Sequence, residues 1–168
     1  MTSRPDATPQ AADGRDGSRQ PLAAAVARCQ ADAGFLAALR HVYAGVDAAI
    51  DARGWACKAC GACCDFTRSE HRLYVSVGEL SLLTAAALPP PRVPGRCPYQ
   101  LDGRCTMRPV RALGCRLYFC DPARRESFQQ DYERYHSRIR RLHDAGGLPY
   151  AYVELTAGLA ELFPARPC

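Results

Sequence analysis

The sequence predicts a mainly α-helical protein with a small, irregular, cysteine-rich α+β core. Two or three helices are expected to pack around a cysteine-rich loop region and a short β-hairpin. Two stretches predict the helices, because their apolar residues recur at alternating spacings of three and four, the period of one helix face. Eight of the ten cysteines lie between these stretches, and Asp-Gly in their midst is typical of a hairpin turn.

The first helical stretch precedes the cysteines. Its apolar face is predicted to carry Phe35, Leu39, Val42, Val46 and Ile50. The helix is expected to end near Gly54, which can adopt the left-handed conformation of a C-terminal cap. A shorter helical piece is expected from Leu22, with Gly34 between the two.

The chain is expected to form one domain over residues 21–168, with the cysteine cluster at 55–120. Residues 1–20 are polar and rich in proline and glycine, so they are predicted to be a disordered tail.

Short elements are expected after the first cysteine motif. Residues 72–75 have the composition of an extended segment, and Ser76 with Glu79 has the spacing of a capping box. The helix that follows is expected to run to about Ala87, because the four prolines of residues 88–95 must stop it. Asp102-Gly103 predicts the hairpin turn, which would bring Cys97 and Cys105 near one end of the ribbon.

The second long helix is expected to start at Asp121-Pro122, with aspartate as cap and proline in the first turn. Gly146-Gly147 is expected to end it, and residues 150–155 are predicted to be a strand. We interpret its apolar stripe as core packing: Phe128, Tyr132, Tyr135, Ile139 and Leu142.

The spacing of eight cysteines predicts a metal site in this loop region. The cysteines are Cys57, Cys60, Cys63, Cys64, Cys97, Cys105, Cys115 and Cys120. A C-x2-C loop lets both sulfurs approach one metal ion at about 2.3 Å. The small residues Ala59, Gly61 and Ala62 allow backbone N–H groups to approach the sulfurs.

The spacing of the cysteines does not distinguish an iron–sulfur cluster from zinc. Three cysteines at x2, x2 spacing are typical of a ferredoxin-like cluster with a remote fourth ligand, such as a four-iron cluster. A single zinc ion usually takes two cysteine pairs, and eight thiolates could complete two such sites. Adjacent Cys63 and Cys64 cannot easily reach the same metal.

The alternative is four disulfides in an exported domain. The N-terminal residues 1–21 contain no apolar run typical of a signal peptide, and no stretch is long and apolar enough to span a membrane. We therefore expect a cytoplasmic protein without a membrane partner, in which dense cysteines indicate metal or redox chemistry. Cys29 is expected to be a buried free thiol and Cys168 a frayed end, both outside the site.

The cysteine pattern resembles that of the CxxCxxCC cysteine-cluster family, described as a zinc- or iron-chelating domain. Cys57 to Cys64 match its first motif, and the resemblance extends to Cys120. Glu79, Cys97, Gly103-x-Cys105 and Arg111 with Cys115-Arg116 fit its later features. Ala112 stands where the family usually has proline, and Arg108 where it often has tyrosine. The resemblance implies metal binding, and a similar cluster in flagellin lysine N-methylases implies that it can accompany enzyme chemistry.

Three functions follow as hypotheses. The first is a metal-binding protein that holds an iron–sulfur cluster or zinc through cysteine thiolates. The second is a redox or group-transfer enzyme that uses an iron–sulfur cluster. The third is a structural-zinc module that binds a protein or RNA partner. No hydrolase triad, phosphate-binding glycine loop or dinucleotide fingerprint is present in the sequence.

The charged and histidine residues add little to these hypotheses. A nucleic-acid partner is disfavoured, because the net charge of +5 is spread along the chain. Arg134, Arg138 and Arg141 recur at helical spacing and are interpreted as a solvated face that pairs with acidic neighbours such as Asp131. His136 and His143 are expected at the surface. Arg111 and Arg116 are either thiolate-stabilising cations or surface residues.

Overall fold

The fold is mainly helical with a short β-hairpin, as predicted, and it carries a second small antiparallel sheet. The computed structural model describes residues 21–89, 93–118 and 125–164. The helices are α1 (Leu22–Ala31), α2 (Ala33–Asp51), α3 (Val77–Ala86), α4 (Leu113–Leu117), α5 (Arg125–Ala145) and α6 (Leu155–Leu162). The strands are β1 (Tyr74–Ser76), β2 (Gln100–Leu101), β3 (Arg104–Cys105) and β4 (Tyr152–Glu154). The predicted N-terminal tail, Cys120, Cys168 and the predicted helix start at 121–122 lie outside the described residues.

Helices α1 and α2 are separated at Asp32, and not at Gly34 as the sequence predicted. The Asp32 side chain accepts a hydrogen bond of 2.8 Å from the Phe35 N–H and so caps α2. A carboxylate at this position satisfies one of the N–H groups that a helix start leaves unpaired. Gly34 therefore lies inside the first turn of α2, and the two helices meet at 88°.

The buried face of α2 agrees with the predicted apolar spacing. Phe35, Leu39, Val46 and Ile50 are buried, and Val42 is half-buried against the same core. Tyr43 is also buried, so the face is wider than the sequence predicted. The helix ends at Asp51, and the turn beyond it passes through Gly54 at φ +64°, as expected for a terminating glycine.

Helix α3 forms the centre of the core. Its capping box is present, because the Ser76 hydroxyl accepts from the Glu79 N–H and the Glu79 carboxylate accepts from the Ser76 N–H. Residues 77–84 are all buried, and α3 packs against α1 and α2. A helix that is apolar on every side must be enclosed in this way.

Strand β1 pairs with β4, which joins the C-terminal part of the chain to the centre. Val75 lies opposite Val153 in this antiparallel pair. Both strands were predicted, but their pairing was not. Helix α6 follows β4 directly and was not predicted; the Glu154 side chain caps it by accepting from the Ala157 N–H at 2.7 Å.

The predicted hairpin is present as β2 and β3. Asp102 and Gly103 form its turn with φ values of 49° and 72°, which is the two-residue turn expected for Asp-Gly. Gln100 pairs with Cys105 across the ribbon. Cys97 lies before the paired residues, in the turn that leads into β2.

Helix α5 packs against α2 and α4. The prediction that His143 lies at the surface of this helix is wrong. His143 is fully buried, and its ring lies 4.8 Å from that of Phe35. It follows Ile139 by four residues, so it continues the apolar stripe into the core. Asp131 is also buried and pairs with Arg53 beyond the end of α2, rather than with the arginine row on α5.

No single helix in the described ranges has both the length and the apolar character needed to cross a bilayer. Helices α1 and α2 meet those criteria only when taken together, across their bend.

Candidate metal centre

The first cysteine motif lies on the hairpin. The Gln100 side-chain amide donates a hydrogen bond of 2.9 Å to the Gly61 carbonyl. Gly61 has φ +66°, and a Cβ atom at this position would lie 2.3 Å from the Gly103 carbonyl oxygen. Only glycine satisfies both the backbone angle and this close approach. A short 3₁₀ turn, Ala62–Cys64, follows and carries the two adjacent thiols.

The segment before the hairpin lies beside the same motif. The Cys97 N–H donates a hydrogen bond of 2.8 Å to the Cys64 carbonyl, and the Phe66 N–H donates one of 2.8 Å to the Gly95 carbonyl. Two chain segments about thirty residues apart in the sequence are thus joined by backbone hydrogen bonds beside the thiols.

Helix α4 brings a third segment to the site. It carries Cys115, and its first N–H, that of Leu113, donates a hydrogen bond of 2.8 Å to the Glu79 carboxylate of α3. The sequence did not predict α4, because the helix has only five residues and no side-chain cap of its own at Ala112.

Arg116 fixes the loop before α4, and it is not the surface residue that one of the two sequence interpretations suggested. Its side chain is only 3% exposed and forms an ion pair with Asp47 of α2. The guanidinium also donates to the carbonyls of Arg111 and Pro109, at 3.0 and 2.6 Å, and lies 4.2 Å over the Tyr43 ring. Arg116 is therefore a buried structural residue between α4 and α2.

Five of the predicted ligands come together from three chain segments. We call them the thiol cluster: Cys63, Cys64, Cys97, Cys105 and Cys115. The thiols of Cys63, Cys97 and Cys105 lie close enough to that of Cys64 for each to influence its pKa. The eight cysteines in the described ranges, Cys29 included, are all free.

Three of the clustered thiols, Cys63, Cys64 and Cys115, have raised pKa values. The contact with Cys64 and burial raise the pKa of Cys63 far above its usual range. The neighbouring Cys63 thiol lowers the pKa of Cys64, but Cys97 and burial outweigh this effect and raise that pKa to about 12. Burial, then the charges of Cys64 and Cys63, raise the pKa of Cys115. Neighbouring thiolates repel each other in a desolvated site, so Cys63, Cys64 and Cys115 resist ionisation when no cation lies beside them.

Cys57 lies at the edge of this group, and its pKa is lowered rather than raised. Burial opposes its ionisation, but the Ala59 N–H at 3.4 Å from Sγ and the guanidinium of Arg108 at 3.8 Å from Sγ lower its pKa. Arg111 lowers it further, and Arg111 also favours the ionised form of Cys115. The expectation that a small spacer residue lets its N–H approach a sulfur is confirmed at Ala59.

Two predicted ligands remain. Cys60 is exposed on the loop of the first motif, and Cys120 lies outside the described residues. Cys29 is fully buried in α1, where burial raises its pKa to about 11. It is a core thiol, as predicted.

The donor set fits a thiophilic cation in its chemistry. Several thiols that suppress one another's ionisation can all ionise only when a positive charge lies among them, which is what a metal ion or an iron–sulfur core provides. Their positions do not form a finished coordination site. Within residues 21–89, 93–118 and 125–164, no three His, Cys, Asp or Glu side chains are arranged to hold a metal ion.

A cavity of about 260 Å³ adjoins the thiol cluster, and sequence reasoning missed it. Cys63, Cys64, Cys97 and Cys115 form one part of its lining. Aromatic rings form much of the rest: Phe66, His71, Tyr74, Tyr118, Phe128, Tyr132 and Tyr152. The aromatic stripe of α5, interpreted from the sequence as core packing alone, thus also lines a cavity through Phe128 and Tyr132.

Comparisons with models of known protein families, with curated proteins and with solved structures found no match to this chain. The resemblance to the cysteine-cluster family stays a prediction.

Proposed function

We propose that this protein binds an iron–sulfur cluster or zinc through cysteine thiolates. The thiol cluster supplies the central ligands, and Cys57, Cys60 and Cys120 belong to the ligand set predicted from the spacing. The observation that carries the proposal is that five thiols from three separate chain segments lie together, and that the pKa values of three of them, Cys63, Cys64 and Cys115, are raised.

The surroundings of the thiols support this proposal. Protonated thiols in contact gain little from one another, whereas thiolates around a cation gain strong coordination bonds. The guanidinium groups of Arg108 and Arg111 beside Cys57 offset part of the negative charge that a tetrathiolate site would carry. When bound, the metal would supply fold stability in the case of zinc, or electron transfer in the case of an iron–sulfur cluster.

Metal analysis of the anaerobically purified protein tests the proposal. Iron with acid-labile sulfide and a brown colour would identify an iron–sulfur cluster, and colourless protein with stoichiometric zinc would identify zinc. Protein that folds normally, yet contains neither metal and takes up neither when reconstituted, would contradict the proposal.

A matched pair of variants locates the metal. Cys64→Ala removes a thiol at the centre of the cluster, and Cys29→Ala removes a buried thiol of the α1 core. The metal content of Cys64→Ala should fall sharply, while that of Cys29→Ala should stay at the level of the unmodified protein. Equal metal content in the two variants would place the metal elsewhere.

A redox or group-transfer enzyme is the second candidate. The cavity favours it, because a small molecule in this space would lie against four of the clustered thiols.

The cysteine usage also supports a reducing, cytoplasmic location, in which free thiolates remain available to metal.

A further inference from the structure

We propose that the cavity beside the thiol cluster binds a small, uncharged, bicyclic aromatic molecule, an indole-like ring with one hydrogen-bonding group. The cavity measures about 260 Å³. An apolar cavity of about 150 Å³ accepts a benzene ring, so this larger space has room for two fused rings. The inference concerns the cavity alone and does not rest on the proposed metal function.

The aromatic lining offers flat faces to such a ring. The rings of His71 and Tyr118 are stacked at 5.1 Å with an interplanar angle of 18°. Phe128 and Tyr132 form a second stacked pair at 5.7 Å and 27°. Phe66 meets the edge of His71 at 5.4 Å. A planar aromatic guest can stack on, or meet the edge of, these rings with a gain beyond its buried area.

His71, one of the lining residues, has a ring nitrogen without a hydrogen-bond partner in the described part of the chain. His71 Nδ1 is buried and has no hydrogen-bond partner among the described residues. A buried polar atom left unpaired carries a free-energy penalty, which a ligand with a matching donor or acceptor removes. One imidazole nitrogen forms one such bond, so a single N–H or oxygen on the guest is enough.

The charges around the cavity favour an uncharged guest. Arg72 is the one charged side chain among the described lining residues, and it is exposed to solvent. No carboxylate belongs to that set, so none of these residues would form an ion pair with a cationic ligand. Aliphatic and aromatic side chains and thiols form most of the surface, which suits an apolar ring.

Position 129 offers a way to fill the cavity without disturbing the core. Gln129 lines the cavity from α5, is exposed and donates a hydrogen bond of 2.7 Å to Glu133 on the same helix. Its neighbour Gln130 is also exposed, but it does not line the cavity. Gln129→Trp and Gln130→Trp therefore form a matched pair that differs in access to the cavity.

Calorimetry with indole under reducing, anaerobic conditions tests the proposal on the full-length protein as purified and after metal removal. Indole should bind the unmodified protein and Gln130→Trp equally, and bind Gln129→Trp at least about tenfold more weakly, a difference of 1.4 kcal/mol. His71→Phe keeps the ring but loses the nitrogen. It should weaken indole binding by about fivefold, and leave binding of indene, which has a similar shape and no N–H, nearly unchanged.

Three outcomes would overturn the inference. They are the absence of indole binding to the folded protein, an equal loss of affinity in the two tryptophan variants, and binding confined to metal-free protein. The last would show that the cavity is the space that the metal centre itself occupies. Metal content is measured separately, so failure here leaves the proposed metal function standing.

Discussion

The carboxylate of Glu79 accepts a hydrogen bond of 2.8 Å from the backbone N–H of Leu113. The same carboxylate accepts from the Ser76 N–H at 2.8 Å and from the Tyr43 hydroxyl at 3.3 Å. One buried side chain of α3 therefore caps its own helix, caps α4 and bonds to α2. The position of Cys115 depends on this carboxylate, because α4 has no side-chain cap of its own.

Glu79→Gln should destabilise the fold. The amide replaces one acceptor oxygen with a donor. At least one of the buried N–H and hydroxyl groups that bond to the Glu79 carboxylate therefore loses its acceptor. The free energy of unfolding in urea should fall by about 3 kcal/mol. Glu161→Gln on the exposed part of α6 is the control and should change it little. Equal urea-unfolding midpoints for the two variants would show that the hydrogen bonds to Glu79 contribute nothing to stability.

Gly61→Ala and Gly54→Ala separate backbone strain from steric conflict. Both residues have positive φ, but a Cβ atom at Gly54 meets nothing within 4 Å, whereas one at Gly61 meets the Gly103 carbonyl. Gly54→Ala should cost about 1 kcal/mol of unfolding free energy. Gly61→Ala should cost about 3 kcal/mol, because the motif must move off the hairpin. Denaturant unfolding measures both, and similar costs would contradict the close packing of the motif on the hairpin.

Arg116 and Asp47 should respond unequally to substitution, although they form one ion pair. The Arg116 side chain is 3% exposed and that of Asp47 is 45% exposed. Arg116→Met leaves two carbonyls and a carboxylate without their donor and should cost about 3 kcal/mol. Asp47→Asn keeps an acceptor at a half-exposed site and should cost about 1 kcal/mol or less. Urea unfolding of the two variants at neutral pH checks which substitution costs more free energy of unfolding. A larger cost for Asp47→Asn would contradict the structural role given to Arg116.

His143 should make the protein less stable in mild acid. Burial lowers its pKa, and although the Pro149 carbonyl and Asp144 favour the protonated form, neither ring nitrogen has a hydrogen-bond partner among the described residues. The unfolded chain takes up a proton near pH 6.5 and the folded chain does so only at lower pH. Stability is therefore retained above about pH 6.5 and lost progressively as the pH falls below it.

His143→Leu should flatten this pH dependence. Unfolding free energies measured at pH values on both sides of the histidine range should differ less in this variant than in the unmodified protein. His41→Leu on the exposed side of α2 provides the control and should keep the original dependence. Identical pH dependence in His143→Leu and the unmodified protein would mean that folding leaves the pKa of His143 unchanged, contrary to this prediction.

Local signals in the sequence predicted several elements because each needs only neighbouring residues. The alternating spacing from Phe35 predicted α2, Ser76 with Glu79 predicted the start of α3, and Asp102-Gly103 predicted the hairpin. The fold class followed from these elements. Capping groups and turn dihedrals are properties of a few adjacent residues, so no knowledge of the tertiary structure was required.

Contacts between distant segments decided the rest. Helix α4 has no local signal and is capped by Glu79, which precedes it by 34 residues. The burial of His143 and Arg116 depends on which helices pack together. The sequence by itself determined the number and spacing of the thiols. Only the tertiary structure decided which of them meet, because the free energy of burying distant faces against one another, and not the spacing, brings Cys115 to Cys64.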